Sequence, residues 1–436
     1  MTLGPARDLR EAIRIFNPQR PLEGEALHAY YADRGSTARR DMRTFLELYA
    51  GEPIAMLFTG HSGSGKTTEL NKLIEELGDR YFVVKVSTGT IIPPTDLTYV
   101  DVILIAAMAL FRAASDANLI QRAPAQIVEG VWEQVKQVID RVIFGDLPYR
   151  RPAQPAEVGV KVGIPSIVQG LALEFEARFK NEPHTRRQIR ERMQDRLSEV
   201  IDRANLLSAE IRHRYRAPVL LVVEDTDKPD PARAGELFFD HPQSLTAFNA
   251  SVIYTFPIAL RYTAKFNEVD RYFKCFRMPN LPLHDKAGAA DESGRRVLDH
   301  AIALRMDAAL IAPSARRKII LASGGVMRML IGLVQNAAVN AYARGASCIE
   351  DPDADRAIAD LRKDFIAALK SADYPILAAR YRDKWLSSDG ALQELLQMRA
   401  LLEYENGEPW CDVHPVVLPL MAERVPGFAP GEERAT

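Results

Sequence analysis

The chain has 436 residues, enough for two or three domains with proper cores. Its formal charge of −2, with 26% charged and 47% hydrophobic residues, is ordinary for a soluble protein and excludes a global attraction to nucleic acid or anionic membrane. Cys275, Cys348 and Cys411 lie far apart with no C-x-x-C pair, and the eight histidines are scattered, which argues against a disulfide framework or a zinc cluster. The first residues carry charge and no apolar h-region, and the longest apolar run, Val102 to Phe111, is too short to span a bilayer. The expected setting is the cytoplasm.

In chain order, the first strong element is Ile54–Phe58, a short apolar run of buried-strand type. It leads into "GHSGSGKTT", in which Gly60, Gly65, Lys66 and Thr67 fit G-x-x-x-x-G-K-[ST]. Leu70, Leu73, Ile74 and Leu77 then fall at helical spacing, and Gly78 reads as a C-cap. Strand, glycine-rich loop and helix in that order make a phosphate cradle from residues 60 to 68: Gly60, His61, Ser62, Gly63, Ser64, Gly65, Lys66, Thr67 and Thr68. Glycines let backbone N–H groups turn inward, and the helix N-terminus favours negative charge. Lys66 is expected to reach the β and γ phosphates and Thr67 to ligate Mg²⁺.

A strand follows at 81–88 and an apolar helix with an Asp cap at 96–114. Alternation of strand and helix predicts a doubly wound parallel sheet. Residues 116 to 216 interrupt it and read as a helical insertion. Within it a Pro/Gly-rich stretch at 151–166 fits a hairpin. A long charged helix then carries Ile189, Met193, Leu197, Val200 and Ile201 on one face, with arginines on a solvated face.

The sheet resumes at "APVLLVVEDTDK". Val219 to Val223 form a buried strand that delivers Glu224 and Asp225 to its C-terminal edge, where ligands of α/β sheets bind. One carboxylate holds Mg²⁺ and the other orients or deprotonates water. Glu224 takes the metal side and Asp225 the catalytic side, an order that departs from the usual Asp-first pair. The strand "SVIYTFPIAL" carries Thr255 at its polar end, a position that suits either γ-phosphate sensing or plain β geometry. Downstream helices contain Gly324-Gly325, read as a hinge, followed by Arg328 on a first helical turn. A forked cation there is a candidate γ-phosphate sensor. The stretch 371–436 reads as a separate module: helices, then a hairpin with a type I′ turn at Asn406-Gly407. It has six Lys/Arg against eleven Asp/Glu, a balance of −5, which disfavours a duplex.

Taken together, "GHSGSGKT", "VLLVVEDTDK", "SVIYTFP" and "SGGVMRML", followed by a wing-like tail, resemble the AAA+/STAND group of P-loop ATPases, and within it the origin-recognition-like and KAP-like branches found in bacteria. The resemblance implies an α/β P-loop fold with a parallel sheet flanked by helices. It divides the chain into an N-terminal segment at 1–50, an ATPase core at 51–285, a helical lid at 286–370 and a winged-helix-like module at 371–436. It implies ATP and Mg²⁺ as ligands, Glu224 and Asp225 as the Walker B pair, Thr255 as sensor 1, Arg328 as sensor 2 and "FNPQRPL" (16–22) against the adenine. The segment before the sensor strand lacks an arginine, so no trans-acting finger is evident, with Arg261 as a substitute. Proteins of this kind often work as switches or assembly platforms, many in antiphage defence. A protein effector or self-association is the expected partner. An ATP-dependent DNA-handling protein, such as a loader, is the competing reading, and "DKPD" at 227–230 only superficially resembles the guanine-reading N-K-x-D.

Overall fold

The computed structural model describes residues 3–117, 125–145 and 164–429. Five strands form one parallel sheet: β1 Ala55–Thr59, β2 Phe82–Ser87, β3 Val219–Glu224, β4 Ser251–Phe256 and β5 Lys274–Arg277, in the order β2-β3-β4-β1-β5. The expected α/β fold with helices on both faces is present. Its strands are continuous apolar runs because both faces are covered. Val219, Leu221 and Val223 point to one side, against the helix Tyr99–Asp116, while Leu220 and Val222 point to the other, against the phosphate-loop helix Lys66–Leu77. The short edge strand β5 escapes sequence reading, since Lys-Cys-Phe-Arg offers too little pattern. Among the described residues no helix is long and apolar enough to cross a membrane.

Four local expectations are corrected. The helix cap before residue 99 is Thr98, not Asp96; Thr98 and Asp101 form a reciprocal capping box. The single long helix after 180 is two, Pro183–Met193 and Leu197–Tyr215, broken at Gln194–Arg196. Its arginines are not simply solvated: Arg190 pairs with Asp101 at 2.6 Å and Asp96 at 2.9 Å, and Arg186 pairs with Asp96 at 2.6 Å. These pairs clamp the insertion to the start of the helix Tyr99–Asp116, and Ile189, Met193 and Val200 are buried in the same core as the sheet. The expected hairpin lies, for residues 151–163, outside the described residues.

The fourth correction concerns the tail. A second core joins lid helices such as Met327–Ala343 to Phe16 at the N-terminus and to Leu392, Leu395 and Leu396 of the helix Gly390–Gln397. The module at 371–429 therefore shares its core with the lid rather than standing apart. Its hairpin pairs β6 (Leu401–Asn406) with β7 (Glu408–Val413), Tyr404 facing Trp410 with ring centroids 4.9 Å apart. Asn406 pairs directly with Glu408, so Gly407 alone, at φ 101°, makes the tip. A type I′ turn needs positive φ at two residues, and Asn406 does not supply it.

Candidate functional site

Gly63 and Gly65, at φ 88° and 107°, take backbone conformations that side chains resist. A Cβ on Gly63 would stand 2.7 Å from the Cβ of Arg328, so the loop is also pressed against the lid. The loop opens on a cavity of about 970 Å³, lined by Ser62 to Thr68, by the segment 17–23 and by Glu224, Asp225, Asp227, Thr255 and Arg328. It continues along β2 towards the helix Tyr99–Asp116. A volume of this order suits a nucleotide-sized ligand.

Lys66 is buried at the helix start. Its Nζ donates to the carbonyls of Gly60 (2.8 Å) and His61 (3.1 Å) and pairs with Asp227 at 2.8 Å. Burial would raise the Asp227 carboxyl, yet Lys66, with a hydrogen bond from Thr255, holds it below the usual carboxylate range. Asp227 thus belongs to the site, although the sequence reading placed it only in "DKPD". Asp225 sits at φ 67°, and the chain turns there so that the next carboxylate swings back to the loop.

Glu224, on the last position of β3, points to the same side of the sheet as the phosphate-loop helix. One oxygen, Oε2, lies 2.8 Å from Lys85 Nζ; the other, Oε1, is buried without a hydrogen-bond partner. Asp225 accepts a hydrogen bond from Ser87 and pairs with Lys228 at 2.8 Å. Thr255 is buried, its Oγ1 3.3 Å from Thr226 Oγ1. Arg328 donates its backbone N–H to Gly63 (3.0 Å), and its guanidinium lies 3.4 Å from Ser62 Oγ. The structure therefore brings Lys66, Glu224, Asp225, Thr255 and Arg328 to one cavity.

Gly60 and His61 of the cradle, and the substitute finger, do not line the cavity. The buried ring of His61 turns away from the cavity and accepts the Glu403 N–H of the hairpin at 2.8 Å. Burial pushes this imidazole down to about 3, with Lys66 and Arg399 adding to the effect, so it is neutral. Thr68 accepts the N–H of Leu22 at 3.3 Å, and Asn71 donates to the Leu22 carbonyl at 2.7 Å, which ties Leu22 beside the loop, while Phe16 is buried in the second core. Arg261 lies over the Phe266 ring at 4.2 Å and does not line the cavity.

Two further arginines went unnoticed in sequence. Arg34 donates to the carbonyls of Ser64 (3.0 Å) and Pro279, and Arg305 donates to Ala301 (2.7 Å); both line the cavity. Among the described residues neither has a carboxylate within 4.0 Å, and the same holds for Arg328. Burial lowers both, Arg305 to about 10. The Glu69 carboxylate acts on Arg34 only from beyond ion-pair distance, and cations this loosely paired are costly to bury unless a ligand supplies the anion. With the orphaned Glu224 Oε1 they fit a polyphosphate and a divalent cation.

No family model matches the chain, and no curated protein matches it. Solved structures do. Over 94% of this chain and 98% of theirs, Cdc6p from Pyrobaculum aerophilum is 13% identical with a TM-score of 0.42. A Walker-type ATPase of Pyrococcus abyssi is 13% identical over 94% and 99%, with a TM-score of 0.47. The RuvB Holliday junction branch migration motor of Thermotoga maritima is 12% identical over 91% and 96%, with a TM-score of 0.37. Likenesses this distant leave the site to be read from its own side chains.

Proposed function

We propose that this chain is a Mg²⁺-dependent ATPase of the AAA+/STAND group, of its origin-recognition-like or KAP-like branches, that works as a regulated switch. The observation that carries the reading is the convergence on one cavity of the loop lysine, the carboxylates of Glu224, Asp225 and Asp227, and arginines with no close ion pair among the described residues. Phosphate would take the place of Asp227 at Lys66. Thr67 and Glu224 would hold Mg²⁺, which supplies positive charge to the leaving and transferred oxygens. Asp225, once free of Ser87 and Lys228, would orient and deprotonate water, and Thr255 would report the γ-phosphate. Lys66→Ala should abolish nucleotide binding, as read by titration of a fluorescent ATP analogue. Near-normal affinity would remove the loop as the site.

Support for switching comes from the tail. Glu403 N–H grips His61, Arg399 donates to the Ser62 carbonyl at 3.4 Å, and Tyr404 donates to the Gly324 carbonyl at 2.7 Å. The same hairpin thus holds both the phosphate loop and the turn before Arg328. A nucleotide that moves the loop must move the tail. An antiphage setting would be tested by co-purification with the products of neighbouring genes.

A further inference from the structure

Lys85 is the fourth residue of the edge strand β2. Its side chain is only 27% exposed and its Nζ lies 2.8 Å from Glu224 Oε2. The ammonium also donates to Asn71 Oδ1 at 2.5 Å, and Asn71, one turn beyond Thr67 on the phosphate-loop helix, donates in turn to the Leu22 carbonyl at 2.7 Å. Lys85 lines the nucleotide cavity. The carboxylate it holds keeps its other oxygen, Oε1, buried and unpartnered.

We infer that Lys85 is a positioning residue for the metal site: it fixes one oxygen of Glu224 so that the other faces the place of the cation. This rests on the reading of Glu224 as the metal-side acid. Three physical points support it. A buried carboxylate with one oxygen satisfied and one orphaned is oriented rather than merely neutralised. Outer partners that hydrogen-bond a ligating carboxylate govern its metal affinity, typically by 10- to 100-fold. The lysine is itself anchored: Asn71 fixes the ammonium from the helix that carries Thr67, so both expected metal-side groups are referenced to one rigid element. Because Asn71 also holds Leu22, the segment beside the nucleotide and the metal-side acid belong to one hydrogen-bonded chain, Leu22–Asn71–Lys85–Glu224.

A lysine could instead compete with the metal for Glu224, and the two roles differ in sign. The test is the Mg²⁺ dependence of binding of a fluorescent, non-hydrolysable ATP analogue, measured on the full chain with and without EDTA. Lys85→Met should raise the Mg²⁺ concentration for half-saturation about tenfold, and Asn71→Ala should shift it in the same direction by less. Lys85→Arg, which keeps a cation and donors, should lie nearer the wild type. Affinity in EDTA should hardly change, which a general loss of structure would not permit. An unchanged or lowered Mg²⁺ requirement in Lys85→Met overturns the inference, the lowered one by showing competition. If Lys85→Met does not fold, Asn71→Ala decides by the same sign, because it loosens the lysine without uncovering the carboxylate. Wild-type protein that binds no analogue at any Mg²⁺ concentration would sink the ATPase reading itself, a result distinct from binding that ignores Lys85.

Discussion

Asp227 and Lys66 form a buried ion pair where a phosphate is expected, and this has an energetic consequence for ligand binding. Each ligand that uses Lys66 must first displace a carboxylate 2.8 Å away. Asp227→Asn should therefore tighten nucleotide binding while lowering the melting temperature of the free protein, since a buried cation loses its partner. Isothermal titration and thermal melting on the same preparation check both halves. Weaker binding would instead make Asp227 a ligand of the metal. Asp225→Asn should leave binding largely intact and stop turnover, because the amide keeps the shape but accepts no proton. If Glu224→Gln rather than Asp225→Asn behaves that way, the roles of the pair are reversed. At this scale the sequence was informative where chemistry is local. The phosphate loop declares itself within eight residues. Asp227, Arg34 and Arg305 acquire meaning only from groups brought near by the fold, so no spacing rule isolates them.

Between elements, the decisive contacts are those of the hairpin and the glycine pair. Gly324 and Gly325, at φ 58° and 77°, are buried rather than an exposed hinge. A Cβ on Gly325 would lie 1.9 Å from the Leu281 carbonyl and one on Gly324 would lie 2.5 Å from Leu402 Cδ1. Protease cleavage at this pair would therefore report opening of the hairpin rather than of a free loop, and protection by ATP would report its closure. The interface also carries a pH dependence. His61 and His414 are both buried, and burial pushes each down from the usual 6.5 to about 3. Each is neutral in the folded chain, whereas the unfolded chain takes up protons below about 6.5. Stability is thus lost as pH falls from about 6.5 towards 3. Melting curves from pH 7 to 5 should show the loss, and His61→Gln should flatten it. An equal slope in that variant would remove His61 from the account. The strand and helix pattern was legible from periodicity. The docking of β6 on the phosphate loop was not, because Tyr262, Arg277 and His61, its partners, lie more than a hundred residues away.

Across the whole molecule, the charge count that set the tail against DNA takes a different form once its partners are visible. Glu403 accepts from Tyr262 at 2.7 Å and lies 3.7 Å from Arg277, which also pairs with Glu405 at 3.2 Å; Asp412 pairs with Lys384 at 2.5 Å. Part of the −5 is therefore matched by Tyr262 and Arg277 of the sheet domain and by the tail itself. Glu403, Glu405 and Asp412 of the hairpin are thus engaged within the chain, while Glu408 at the tip is exposed, which favours an internal regulatory role over a DNA-facing wing. Deleting 371–436 is a poor test of this, since Leu392, Leu395 and Leu396 fill the lid's own core and their removal would expose it. Point changes at the clasp serve better. Arg399→Ala, which removes a guanidinium whose burial holds it below its ordinary value, should loosen the tail from Ser62 and change basal ATP turnover severalfold. Affinity for duplex DNA, measured at low and moderate salt, should be equally weak in wild type and variant. Micromolar binding by the wild type that falls steeply with salt would promote the DNA-handling alternative, because only clustered cations releasing counter-ions produce that slope.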